Sequence, residues 1–180
     1  MNAPMSWLKQ YVDIDVDIKT FIDAMTMSGS KVETVEESGK EITKVVSGKI
    51  IDVQPHPNAD KLRIMQVDVN GEKNLQIVTA AKNVQLGDIV PVALDGANLA
   101  DGIKIKTGKL RGEVSEGMFC SVEELGFKEE DIEDAPHDGV YVFPKTMELG
   151  IDVKPYFGLG EQVVEYEITS NRADCFSILG

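Results

Sequence analysis

The spacing of apolar residues changes from a helical to a strand period along the chain. Ile18, Phe21, Ile22 and Met25 fall at i, i+3, i+4 and i+7, which predicts an amphipathic helix from Ile18 to about Ser28. Asp17 stands where a carboxylate caps the first free amides, and Gly29 where a helix stops. Before it, Ser6 to Val12 reads as one or two helical turns; after it, Lys31–Glu36 reads as a short strand. Short strands then follow at Val45–Val53, Leu62–Val69, Leu75–Thr79, Ile89–Leu94, Ile103–Lys106 and Val140–Phe143. Asn70-Gly71 is the two-residue hairpin signal. Val45–Val53 carries apolar residues on both parities around Gly48, the pattern of a strand that coils strongly or passes between two sheets. Ser121-Val122-Glu123-Glu124 is a capping box and predicts a short helix ending at Gly126. Lys128–Asp138 is an acidic loop. Val164, Tyr166 and Ile168 alternate with Glu165 and Glu167, a half-buried strand. Cys175 to Leu179 opens like a helix, and no stop signal precedes Gly180, so the chain reads as a fragment of a longer protein. Many short strands with regular turns and one short helix predict a small closed barrel.

Composition narrows the class. At 180 residues, with 42% hydrophobic and 27% charged, the chain can bury roughly 70% of its unfolded surface and fold without staples. No run approaches the ~20 apolar residues of a membrane helix, and no basic segment precedes an apolar core at the N-terminus, so neither a membrane span nor a signal peptide is expected. Cys120 and Cys175 form no CxxC and have no nearby histidine, and they read as reduced thiols in a cytoplasmic protein.

Charge is uneven. Residues 1–43 carry a net of -4, residues 44–120 a net of +1 and residues 121–180 a net of -10, within a total of -13. So acidic a chain repels phosphate at long range, yet its near-neutral middle leaves room for a local basic stripe. On a strand Lys104 and Lys106 share one face while Ile103 and Ile105 face the core; Lys109 and Arg111 repeat the spacing, and Lys61 and Arg63 extend it at a neighbouring strand start. Such a stripe tracks a phosphate backbone. The alternative is an ordinary solvated barrel face. Phe119 is the only aromatic between residues 44 and 126, which argues against base stacking.

Bond-making chemistry is thinly represented. His56 and His137 sit in no catalytic motif, no phosphate-binding Gly-Lys-Ser/Thr loop exists, and Asp13, Asp15 and Asp17 lack the Gly and Glu of a calcium loop. No catalytic residue, metal ligand or cofactor is assigned within the chain.

His56-Pro57-Asn58-Ala59-Asp60-Lys61-Leu62 with Gln66-Val67-Asp68-Val69 resembles the tRNA-binding OB-fold module, and the match continues through Lys109-Leu110-Arg111-Gly112 and Ser115–Ser121. Trp7-Leu8, Met27-Ser28-Gly29 and Thr169–Cys175 extend it to the N-terminal region of the bacterial phenylalanyl-tRNA synthetase beta-subunit family. Thr79-Ala80 departs from that pattern, where Cys-Gly is expected. The resemblance implies a mainly β fold with α+β flanks: an OB barrel (39–149) inserted into a small split α/β domain (1–38 with 150–180). Each flank has an apolar face that cannot be buried alone, in keeping with this. The resemblance further implies a non-catalytic part of an α2β2 phenylalanine–tRNA ligase, with the alpha subunit and tRNA(Phe) as partners, and with ATP and magnesium serving the full enzyme elsewhere. A free-standing tRNA-binding module and a purely structural adaptor for the alpha subunit remain alternatives.

Overall fold

The computed structural model describes residues 1–176. The predicted helix opening at Cys175–Leu179 lies largely outside them. Two compact units emerge: one from Met1–Ser38 with the described residues from Gly158 onward, the other from Gly39–Phe157.

The first unit is a three-stranded antiparallel sheet with helices. Asn2–Pro4 (β1) leads into the short helix Met5–Leu8 (α1), followed by Ile18–Met27 (α2) and Lys31–Glu37 (β2). Gln162–Glu167 (β10), the final strand, lies between β1 and β2. The Asp17 carboxylate caps α2, accepting from the amides of Lys19 at 3.0 Å and Thr20 at 3.1 Å. Ala3, Met5, Phe21, Val164 and Tyr166 form the core. The strand β1 is too short to carry a period. It is held by position, with the Met1 carbonyl accepting from the Tyr166 amide at 2.7 Å.

The second unit is the barrel. Its strands are Thr43–Pro55 (β3), Arg63–Asp68 (β4), Leu75–Thr79 (β5), Ile89–Asn98 (β6), the small hairpin Gly108–Leu110 (β7) and Glu113–Ser115 (β8), and Gly117–Phe119 (β9). The five main strands run in the order β5-β4-β3-β6-β9. Closure joins β5 to the β8–β9 corner, where the Glu116 amide donates to the Gln76 carbonyl at 2.8 Å. This is the five-stranded OB arrangement.

The long strand β3 serves both halves, pairing with β6 from Thr43 to Lys49 and with β4 from Lys49 to Pro55. Two register shifts explain its apolar residues of both parities. A Cβ at Gly48 would lie 2.7 Å from Val67 and 2.8 Å from Val92, so only glycine fits where the strand coils. Ile50, Met65, Val67, Ile77, Val90, Val92 and Phe119 fill the interior.

Several expectations change. The boundary expected at 150 falls at 158, because residues 148–153 complete the free edge of β3. The Ile151 carbonyl accepts from Ser47 at 2.9 Å and the Val153 amide donates to Val45 at 3.2 Å. Val140–Phe143 is extended but is not a strand. The Asn83 side chain takes both backbone groups of Val140, leaving a single bridge from Phe143 to Ile89. The capping box forms, with the Ser121 amide donating to Glu124 at 2.6 Å, yet the chain turns off at Gly126 before a helix develops.

Closure sets a sharp steric condition. A Cβ on Gly117 would stand 2.6 Å from the Ala93 carbonyl oxygen across the β6–β9 pair, a backbone atom that cannot give way. We expect Gly117→Ala to cost about 2–3 kcal/mol in urea unfolding. Gly71→Ala, whose nearest contact would be an ordinary 3.7 Å, should change stability by less than about 0.5 kcal/mol. Equal stabilities for the two variants would contradict this reading of the seam.

Candidate nucleic-acid interface

In an OB barrel the β3–β4 loop and the long connection between the fourth and fifth barrel strands rise at one rim and border the face used for oligonucleotides. All six cationic candidates lie on these two segments or at the start of β4. Lys61 is exposed in the β3–β4 loop. Lys104, Lys106, Lys109 and Arg111 are exposed on the β6–β9 connection. Arg63, at the first position of β4, is half-buried, and its guanidinium donates to the Ala81 carbonyl. It is thus the least available of the six.

One buried histidine ties the segments together. The Asn58 amide donates to His56 Nδ1 at 3.0 Å, and His56 Nε2 lies 3.1 Å from the Leu110 carbonyl. An accepting Nδ1 and an accepting carbonyl together require the proton on Nε2. His56 is a strap between two loops, in keeping with a structural role rather than a catalytic one.

The basic stripe differs in detail from a strand face. Residues 103–106 follow the end of β6 irregularly, with one bridge from Lys104 to Asn98. The Ile105 amide donates to Ala97 and its carbonyl accepts from Gly96, each at 2.8 Å, which turns Ile105 inward between two exposed lysines. Ile103, expected to face the core, is 53% exposed, because the Asp101 side chain and the Leu99 amide draw its backbone into a turn. Lys109 and Arg111 are not face-mates. Arg111 and Gly112 have φ of 53° and 101° and form the two-residue turn of the β7–β8 hairpin.

The connection is fastened at its base by Asp95. Its Oδ1 accepts from the Thr107 amide at 2.6 Å. That bond holds the Asp95 carboxyl below its ordinary pKa, with the ammonium groups of Lys44 and Lys106 adding smaller contributions. Lys44 reaches this rim from a left-handed position at the start of β3, φ 56°. The sequence reading missed it, because only the fold brings residue 44 beside residues 95–106. The outer face of β4 and β5 presents Gln66 and Gln76, linked at 3.2 Å, with Gln76 also donating to the Val114 carbonyl at 2.9 Å.

The arrangement suits phosphate contact: cations on two loops held in register, with exposed Ile103 and Leu110 but no aromatic platform. His137, the other histidine, is exposed and bound to Glu129 at 2.7 Å. Among the described residues no three His, Cys, Asp or Glu side chains converge as a metal site.

The family described as "Putative tRNA binding domain" matches residues 45–152, and the chain belongs to that family. Over its whole length it is similar to the N-terminal part of phenylalanine–tRNA ligase beta subunits: 50% identical to that of Clostridium acetobutylicum, 47% to that of Clostridium tetani and 41% to that of Thermotoga maritima. In each case it spans 22% of the relative's length. The C-terminal domain of Plasmodium vivax p43 is a structural neighbour with TM-score 0.44 and 21% identity, over 64% of this chain and 61% of that one.

The Asp95 bond gives a pH test. Its depressed pKa means that the fastening is complete above the ordinary carboxylate value of 3.8 and is lost as pH falls through the lower folded value. Asp95→Ala should speed Thr107 amide exchange at neutral pH. The wild-type amide should gain the same mobility only in acid. Unchanged exchange in the variant would show that the carboxylate does not hold the loop.

Proposed function

We propose that this chain is the non-catalytic N-terminal region of a phenylalanine–tRNA ligase beta subunit, and that its barrel rim contacts the phosphate backbone of tRNA(Phe). The alpha subunit is its partner in an α2β2 assembly. ATP and magnesium act elsewhere in that assembly, in the cytoplasm. Similarity over the whole of this chain to the N-terminal part of such beta subunits supports the placement. The observation that carries RNA contact is the strapping of two lysine-bearing loops at one rim by His56.

Lys61, Lys104, Lys106, Lys109 and Arg111 supply the charge, and Arg63 mainly braces the strand start. The mode is positional. Phosphate contacts set register without reading bases, and this rim carries no rings on which unstacked bases would lie. Affinity of the chain alone is therefore low, because a net charge of -13 opposes the approach of RNA. The structural-adaptor reading draws on the same net charge and on the engagement of Arg63.

Salt dependence separates the two. Each phosphate contact contributes roughly 0.7–0.9 to the slope of log affinity against log salt, so Lys104, Lys106, Lys109 and Arg111 together give a slope near ~3. We expect tRNA binding with a dissociation constant on the order of 10⁻⁴ M or weaker at physiological salt. Changing these four residues to Gln should flatten the slope and leave the thermal unfolding midpoint within a few degrees. Equal slopes for wild type and variant would favour the adaptor.

A further inference from the structure

The barrel unit holds a second feature that tRNA contact does not use. A cleft of about 520 Å³ opens between the acidic loop and a group of aromatic side chains. On one side stand Asp131, Glu133 and Asp134; on the other Tyr141, Phe143, Tyr156 and Phe157.

The aromatic wall is closely packed. The four ring centroids lie 4.9–6.2 Å apart, and four of the pairs meet edge to face. Nothing enters among the rings, so a ligand lies over their outer surface. Tyr141 and Phe143 are buried, while Tyr156 is 44% exposed and supplies the accessible ring. The hydroxyls of Tyr141 and Tyr156 lie 3.3 Å apart.

The opposite wall supplies negative charge. Residues 128–138 hold six carboxylates and one lysine. Part of that charge is committed locally: Asp131 accepts from the Lys128 amide at 3.1 Å, Lys128 pairs with Glu130, and His137 pairs with Glu129. Among the described residues, Glu133 and Asp134 have no ion-pair partner. The side chains do not converge as a metal site, since no three ligating groups come together among the described residues. Asp134 nevertheless lies close enough to the aromatic wall for its charge to act on the Tyr141 hydroxyl, after the larger effects of burial and the Tyr156 bond.

Two free carboxylates across a cleft from an aromatic surface match one functional group above others. A guanidinium is planar, stacks on a ring face and presents a fork of N–H donors to carboxylates. An ammonium offers one charge and no plane. Phosphates and nucleic acids are repelled here. We propose that this cleft docks an arginine side chain carried by a partner polypeptide. The surplus negative charge of residues 128–138 and of the whole chain draws such a basic segment in.

The test titrates the full chain, followed by NMR of its amides and aromatic rings. Four probes are used: N-acetyl-arginine methylamide, its neutral norleucine counterpart, a short peptide with one central arginine, and magnesium chloride. The capped arginine should shift residues 131–134, 141–144 and 156–157 saturably, with a dissociation constant on the order of 1 mM, the range open to so small a ligand. The peptide should bind to the same residues more tightly. Glu133→Gln with Asp134→Asn should weaken both about tenfold; Asn tolerates the left-handed backbone at 134, φ 61°. Tyr156→Leu keeps apolar bulk and removes the ring, and should weaken binding about threefold while unbound spectra stay native-like. Equal binding of the norleucine probe would reduce the cleft to an apolar surface and overturn the proposal. So would magnesium shifts without arginine shifts, or binding unchanged in the carboxamide variant.

Discussion

The barrel depends on one seam. The last barrel strand has three residues and pairs with β6 alone, so the cylinder closes only if β5 meets the corner before it. Buried Ser115 makes that meeting possible: its hydroxyl accepts from the Val78 amide at 3.0 Å and donates to the Gly117 carbonyl at 2.9 Å. Beside it the Glu116 carboxylate accepts from the Gln76 amide at 3.1 Å and from the Lys73 ammonium. Those two contacts, the lysine bond first, hold Glu116 ionised below its ordinary pKa. A buried hydroxyl left unpaired would cost a few kcal/mol, whereas here both of its roles are filled.

Everything at the rim follows from closure. The seam fixes where the β6–β9 connection ends, and Asp95 fixes where it begins. Between them, residues 96–114 have little freedom to drift from the β3–β4 loop, and His56 fastens the two segments midway. The cations are thus held on a frame of backbone hydrogen bonds although their own side chains extend into solvent. Such positioning lets a modest number of charges act together against an acidic background.

Much of this was legible in the chain. The helix Ile18–Met27 followed from its period and cap, and the β4–β5 hairpin from the Asn70-Gly71 signal, because both are local codes, although the connection from Asp68 to Leu75 is longer than a two-residue turn and only Asn70 of that pair is left-handed. The double role of β3 showed as mixed parity around Gly48. What stayed hidden is of two kinds. Ile103 keeps the alternation of a strand but is turned outward by a local turn, in which its carbonyl accepts from the Leu99 amide and its amide donates to the Asp101 side chain; the rest is non-local. Residues 140–143 read as a strand, yet the Val140 amide and carbonyl are taken by the Asn83 side chain and the Tyr141 amide by the Cys120 carbonyl, which leaves only Phe143 to bridge to Ile89. Of the candidate site, the cations were readable as a stripe, but residues 103–106 read as a strand and are an irregular loop. The engagement of Arg63 by Ala81 and the arrival of Lys44 beside Asp95 required the fold.

The central claim is that a closed barrel presents two strapped loops as one phosphate-contacting rim. Mapping amide shifts of the labelled chain on titration with tRNA, at low salt, tests it directly. We expect the shifts to cluster at residues 56–63 and 103–112 and to vanish together as salt rises. Shifts centred on residues 1–38, or on one of the two loops without the other, would contradict it.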